Sequence, residues 1–368
     1  MSRNMVEANR YIFNTLKDFI DDHPEFDRTV DYFGEKYIRF IQTNDQEKEW
    51  LKELNVITDK RLTSVLKFAI FEFDSKFYFI SVSLNEQNID LSSLEEYGLL
   101  DFDNNSGIFT ALIYGLKVGV KEDVDPYKIL DEVFYEIEEN KKEGFEYIKI
   151  ADFFESIKIY QITKNCPFVY DNLEFTEKDI DEILLFRLAL LLLVKNDAVR
   201  ILKFSPETLE CFVKLCEEGS TKISYENLLY SFVSFSWKHC FLDVYRCLDL
   251  ERLFSIPKLK KFYDTILEKK DLLNFQDFAT LCEEEISLKL REEETLEKLL
   301  NGEEKITKRL GSCENSYKFI YKLRNSIVHF RASQETMVPN DDDDRWNIII
   351  NVCLELVLSL YKKYEDYL

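Results

Sequence analysis

The sequence predicts an α+β chain in which a mixed α/β N-terminal domain is followed by an all-α helical bundle, and three observations predict it. The stretch Lys67–Leu84 (KFAIFEFDSKFYFISVSL) is rich in Phe, Ile, Val and Tyr on both sides of an Asp74-Ser75-Lys76 turn, the pattern of a hairpin. From Glu177 the apolar spacing is helical almost to the end of the chain. The helical part is cut by breakers at Ser205-Pro206, Gly219-Ser220, Ile256-Pro257, Gly302, Gly311-Ser312 and Pro339-Asn340. At 368 residues and 46% hydrophobic content the chain can fill two ordinary cores.

Taken in order, residues 1–60 read as helical, with Asn9–Ile20 amphipathic and a break at Asp21-Asp22-His23-Pro24. The hairpin follows. Further strands are expected at Ile108–Val118, Tyr147–Ile150 and Ile157–Thr163, with a helix at Pro126–Glu143. Helices are then expected at 177–203, 206–218, 224–254, 258–270, 275–300, 313–331 and 344–366. The expected domains are 1–205, a linker helix in 206–222, and a bundle over 223–368.

Charge narrows the functions available. The net charge of −22 argues against general affinity for nucleic acid or anionic membranes, so any such binding must be local. From Ser224 onward 21 Lys and Arg face 26 Asp and Glu, which places most of the negative charge in the front part. Eight cysteines without a Cys-x-x-Cys pair suit a reduced, cytoplasmic protein in which Cys packs as a small hydrophobe. The start, Met-Ser-Arg-Asn-Met-Val-Glu, has no apolar core of a secretory signal. The most apolar run, Ile183–Val194, contains Arg187 and falls short of the roughly 20 residues needed to cross a bilayer, so a buried helix and no membrane contact are expected.

The chemistry gathers at Arg324-Asn325-Ser326-Ile327-Val328-His329, which holds one of only three histidines. Histidine moves protons near neutral pH, and the planar guanidinium fork fits phosphate oxygens. Around it Lys305, Lys308, Arg309, Lys318, Lys322, Arg324 and Arg331 are interrupted by the single acid Glu314, a basic island in an acidic chain. Elsewhere, sequence patterns for a P-loop, a Rossmann dinucleotide site, a serine-hydrolase elbow or a His-Glu-x-x-His zinc site are missing, and no cofactor or metal is expected. His239 and His23 lack partners at ligand spacing, and Cys211 and Cys216 do not share a helix face.

The run Tyr321–Arg331 (YKLRNSIVHFR) resembles the Arg-x4-6-His signature of the HEPN superfamily, most closely its ApeA-like branch from bacterial antiviral defence. The segment Trp237–Phe254 is similar to the first bundle helix of that branch. The resemblance covers the C-terminal part and implies a HEPN-like helical bundle acting as a metal-independent endoribonuclease, leaving a 2′,3′-cyclic phosphate and a 5′-hydroxyl. It further implies a homodimer, with Arg324, Asn325 and His329 catalytic. The basic neighbours Lys318, Lys322, Arg331, Lys308 and Arg309 are then expected to bind RNA. Abortive infection, or a toxin held by an antitoxin, is the implied setting, with the front domain sensing a phage-derived trigger or restraining activity.

Helical geometry sets a condition on that expectation. At 100° per residue Phe319, Ile320, Leu323, Ile327 and Phe330 face the core, while Lys322, Asn325 and His329 share another edge. Arg324 and His329 differ by about 140°, so either the helix breaks near Ser326 or a second copy completes the site. Internal attack by the 2′-hydroxyl needs a base and an acid, which one imidazole cannot supply at once; two His329 rings across a two-fold axis can. Arg324 would stabilise charge on the phosphorane, and Asn325 would orient His329 or the phosphate. A different class of reading is a non-catalytic HEPN module that binds nucleotide or a partner protein. The run Asp341–Asp344 reads as an acidic start to the last helix, with Mg²⁺ binding or coverage of the basic groove as its sharper alternatives.

Overall fold

Asp74 and Ser75 take positive φ angles of 49° and 55°, the backbone that a two-residue hairpin turn needs, and the strands Lys67–Phe73 and Lys76–Val82 pair in antiparallel register around them. The structure is a computed structural model, which describes residues 5–26, 39–64, 66–84, 94–135, 144–163, 166, 177–196, 200–269, 274–285, 292–311, 315–329, 338–339 and 342–368. Among these the hairpin is the centre of a five-stranded antiparallel sheet, ordered Asn55–Arg61, Lys67–Phe73, Lys76–Val82, Ile157–Ile162, Leu99–Asp101. Phe68, Ala69, Ile70 and Phe71 are buried in succession, which is why this segment reads as a continuous apolar run without alternation: both faces of the strand are covered. One face joins a core with Ile12, Leu16, Ile108 and Leu112.

Four expectations for this region are corrected. Ile108–Val118 is not a strand; Ser106–Leu116 is an α-helix, because Asn105 accepts the N–H groups of Gly107 and Ile108 at 3.0 Å each and starts the helix. Its residues Ser106–Ile113 are all buried, so an apolar run with neither period reads equally as strand or helix, and its length decides for helix. Tyr147–Ile150 likewise falls in a short helix, Tyr147–Ala151. Within the stretch expected to be helical, Asn55–Arg61 is a strand. The expected helix from Pro126 is α-helical only to Ile129 and continues as a π-turn through Leu130–Tyr135; its remainder lies outside the described residues.

The compact units divide between Leu185 and Phe186, earlier than the expected boundary after residue 205. In the second unit Leu188–Val194 is buried all round. Arg187, also buried, donates to the Tyr225 hydroxyl at 2.8 Å and to the Gly219 carbonyl, and lies over the Tyr225 ring. The Tyr225 hydroxyl in turn donates to the Leu215 carbonyl at 2.7 Å.

Residues 206–222, expected as a linker, contain the helix Pro206–Glu218, which packs against the final helix Asp343–Lys363 as part of the bundle. Two asparagines of the final helix explain the docking. Asn347 accepts the Ser205 N–H at 2.7 Å and donates to the Lys203 carbonyl at 2.8 Å, while Asn351 donates to the Glu207 carbonyl at 3.1 Å. The single helix expected over 224–254 is three pieces, Tyr225–Phe232, Trp237–Cys247 and a π-turn at Glu251–Ser255, because Ser236 accepts the N–H of His239 and starts a new helix. The helix expected over 275–300 contains Phe275–Glu285 and Glu292–Leu300.

The cysteines behave as core residues. Burial pushes the thiols of Cys216 and Cys353 up to about 12 and that of Cys240 well above its ordinary value. In the folded protein these three thiols are expected to resist a thiol reagent at about pH 8 and to react at once after denaturation, because only the thiolate is nucleophilic. Rapid native labelling of any of them would contradict this burial.

Candidate functional site

The motif helix, Ser316–His329, runs unbroken through Ser326. Of the two routes to a joined site, a helix break is therefore removed. The helix buries Phe319, Ile320, Leu323 and Ile327 and packs against Glu292–Leu300 and Trp237–Cys247. Asn325 and Ser326 are buried as well; the Ser326 hydroxyl donates to the Leu323 carbonyl at 2.7 Å.

Within the motif, Arg324 Nη1 donates to Asn325 Oδ1 at 2.8 Å. Asn325 sits one turn before His329, so this bond carries the arginine's charge toward the edge that bears the histidine. His329 is exposed. Lys318 and Lys322 continue that edge toward the N-terminus at spacings that keep the four residues within about 60°. Lys322 is exposed, and Lys318 is half-buried with its ammonium 5.7 Å from the Tyr317 ring centre.

Two side chains that the sequence reading did not name complete the neighbourhood. Glu292, in the helix Glu292–Leu300, places Oε1 3.6 Å from Arg324 Nε and accepts the Tyr245 hydroxyl at 2.7 Å. The pair is partly exposed, 27% for Arg324 and 30% for Glu292. Ion pairs so placed contribute on the order of 0–1 kcal/mol, little enough for a ligand to replace. Burial, and then the hydrogen bond to Glu292 and its charge, hold the Tyr245 phenol far above its ordinary range, so Tyr245 is a permanent donor. Neither residue carries a local sequence signal, since both reach Arg324 only through packing of helices distant in the chain.

The remaining expected residues divide. Lys308 is exposed and available. Arg309 is engaged: it donates to Asn351 Oδ1 at 2.6 Å and pairs with Glu355, fastening the 3-10 turn Lys308–Leu310 to the final helix. Arg331 lies outside the described residues. The acidic run serves the start of the final helix, where Asp342 accepts the Arg345 N–H at 2.9 Å and Asp343 accepts the Trp237 indole N–H at 2.8 Å; Asp341 is outside the described residues. Replacing Asp342 with alanine is expected to cost about 1 kcal/mol, read as a lower denaturant midpoint with unchanged slope.

His239 is exposed and its Nδ1 meets the Ser236 hydroxyl at 2.6 Å, a contact of the helix start. Cys211 is hydrogen-bonded by Asn351 at 3.3 Å. Among the described residues no three His, Cys, Asp or Glu side chains come together as a metal site, and no helix is long and apolar enough to cross a membrane. No protein-family model, curated protein or solved structure matches the chain.

Proposed function

We propose that the C-terminal unit is a HEPN-type endoribonuclease that cleaves RNA by 2′-hydroxyl attack without a metal ion. The observation that carries this reading is the Arg324–Asn325 hydrogen bond on the same unbroken helix as the exposed His329. His329 takes the 2′-hydroxyl proton, Arg324 stabilises the charge that grows on the phosphorane, and Asn325 fixes the direction of the Arg324 fork. Lys318, Lys322 and Lys308 hold the flanking backbone by charge.

The motif helix itself carries a single imidazole, His329, and the reaction also needs an acid. A homodimer with two His329 rings facing one phosphate supplies it. The N-terminal unit then senses a trigger or restrains cleavage, in an antiviral abortive-infection system or a toxin pair inside the cell.

A second reading, a HEPN-like module that binds nucleotide or a partner protein without cleaving, is favoured by one observation: Arg324 is engaged by Glu292. The two readings separate on incubation of the purified protein with total RNA in EDTA. Fragments ending in cyclic phosphate are expected. Fragments with 3′-hydroxyl ends, or cleavage only after Mg²⁺ is added, would overturn the proposal.

A further inference from the structure

The geometry points to Glu292 as an internal stand-in for the RNA phosphate: its carboxylate occupies an anion seat formed by Arg324 and Tyr245, and a phosphodiester takes that seat when Glu292 swings out. The inference rests on the reading of Arg324 as a phosphate ligand and adds Tyr245 as a second donor to the same phosphate, with Glu292 as its competitor.

Three features carry it. First, one carboxylate oxygen, Glu292 Oε1, is shared by the Tyr245 hydroxyl at 2.7 Å and the Arg324 guanidinium at 3.6 Å. A carboxylate and a phosphodiester offer the same pair of acceptor oxygens, and a guanidinium fork accepts either.

Second, the seat keeps its shape when Glu292 leaves. Tyr245 is only 8% exposed, so packing rather than Glu292 fixes its ring. Arg324 is anchored from its other end by Asn325. Once Glu292 departs, a buried hydroxyl and a half-buried guanidinium face the vacated position, and each needs an acceptor.

Third, Glu292 is built to move at little cost. It is 30% exposed, so its side chain can rotate into water without disturbing Leu296 or Leu299, which are buried one and two turns further on. The Arg324 contact at 3.6 Å is longer than a close charge-assisted hydrogen bond, which leaves room for a better-fitting anion.

The consequence is a phosphodiester held at Arg324, about 140° around the helix from His329 of the same chain, and read by a donor from another helix. Tyr245 acts here as a positioning residue for the scissile phosphate. The test is binding of a fluorescent 2′-O-methyl oligoribonucleotide, which 2′-hydroxyl attack cannot cleave, in EDTA by fluorescence anisotropy.

Glu292→Gln is expected to bind about tenfold tighter than the unaltered protein, with a steeper salt dependence as Arg324 is freed for one more phosphate. Tyr245→Phe in the Glu292→Gln background is expected to lose most of that gain. Glu292→Ala serves as the second variant, and circular dichroism melts confirm that each variant is folded.

Equal or weaker binding by both folded Glu292 variants, or no binding by any protein, overturns the inference even if the unaltered protein cleaves RNA. A tenfold gain with no cleavage by any variant keeps the anion seat and discards the nuclease reading. A gain that survives Tyr245→Phe removes Tyr245 from the seat.

Discussion

Replacing His329 with alanine is expected to lower RNA cleavage by about 10²- to 10⁴-fold, the range lost with a general acid or base, while the melting temperature stays within about a degree of the unaltered protein. The stability half of this expectation follows from position. His329 is exposed and lies outside the bundle core formed by Phe319, Ile320, Leu323 and Ile327. A comparable loss is expected for Arg324→Ala, but there a small change in stability accompanies it, because Glu292 and Asn325 lose a partner.

The shared-imidazole arrangement makes a sharper demand. When His329→Ala chains are mixed and re-equilibrated with active chains, activity should fall with the square of the active fraction, since only dimers with two imidazoles hold both acid and base. A linear fall would mean that each chain cleaves alone. Full activity in His329→Ala itself would remove the histidine from the chemistry.

Gly107→Ala is the second substitution with a large expected effect, and it acts on stability. At Gly107 the helix Ser106–Leu116 meets the helix Asp45–Glu53 so closely that a Cβ would overlap the Glu47 carbonyl oxygen. The clash is with backbone, and a rotamer change cannot relieve it. Glu47 cannot retreat either. Its side chain accepts the Ser106 hydroxyl at 2.8 Å and the Asn44 N–H at 2.8 Å, and Asn44 in return accepts the Glu47 N–H at 2.9 Å. The helices must separate, which is expected to cost about 3 kcal/mol or more and to lower the melting point of a unit this size by roughly 6–12 °C. Gly119→Ala is the control: an added Cβ there meets nothing within 4 Å, so stability should hold or rise slightly. Similar melting of both variants would show that the two helices do not approach as described.

What the sequence disclosed depended on whether the signal was local. The hairpin was legible because its turn residues and strand residues are neighbours in the chain, and the positive φ values at Asp74 and Ser75 are the physical content of that signal. The helix Ser106–Leu116 was misread because burial on every side erases periodicity, and only the asparagine before it marked the start. The break before Trp237 rests on a single serine cap inside an otherwise helical pattern.

The site follows the same rule. Arg324, Asn325 and His329 are adjacent and could be named from chain chemistry alone. Tyr245 and Glu292 could not, since an ordinary tyrosine and one of 70 acidic residues gain meaning only when three helices bring them to one guanidinium. Arg309 likewise meets Asn351 and Glu355 of the final helix, contacts that no local pattern announced.

The borders of the sheet bear on how the N-terminal unit can recognise anything. One border strand, Leu99–Asp101, is three residues long. The other, Asn55–Arg61, is interrupted by a bulge between Val56 and Thr58 and ends in Asp59, Lys60 and Arg61, with Lys67 bridging to Asp59 at 2.9 Å. A short border and a kinked, charged one are both poor templates for an incoming extended peptide. Capture of a foreign polypeptide by β-augmentation, and fibrillar self-association through the same edges, are thereby disfavoured. A trigger met by this unit would be read through side chains on its faces and loops, so residues that tune recognition can change without disturbing the pairing of the strands beneath them.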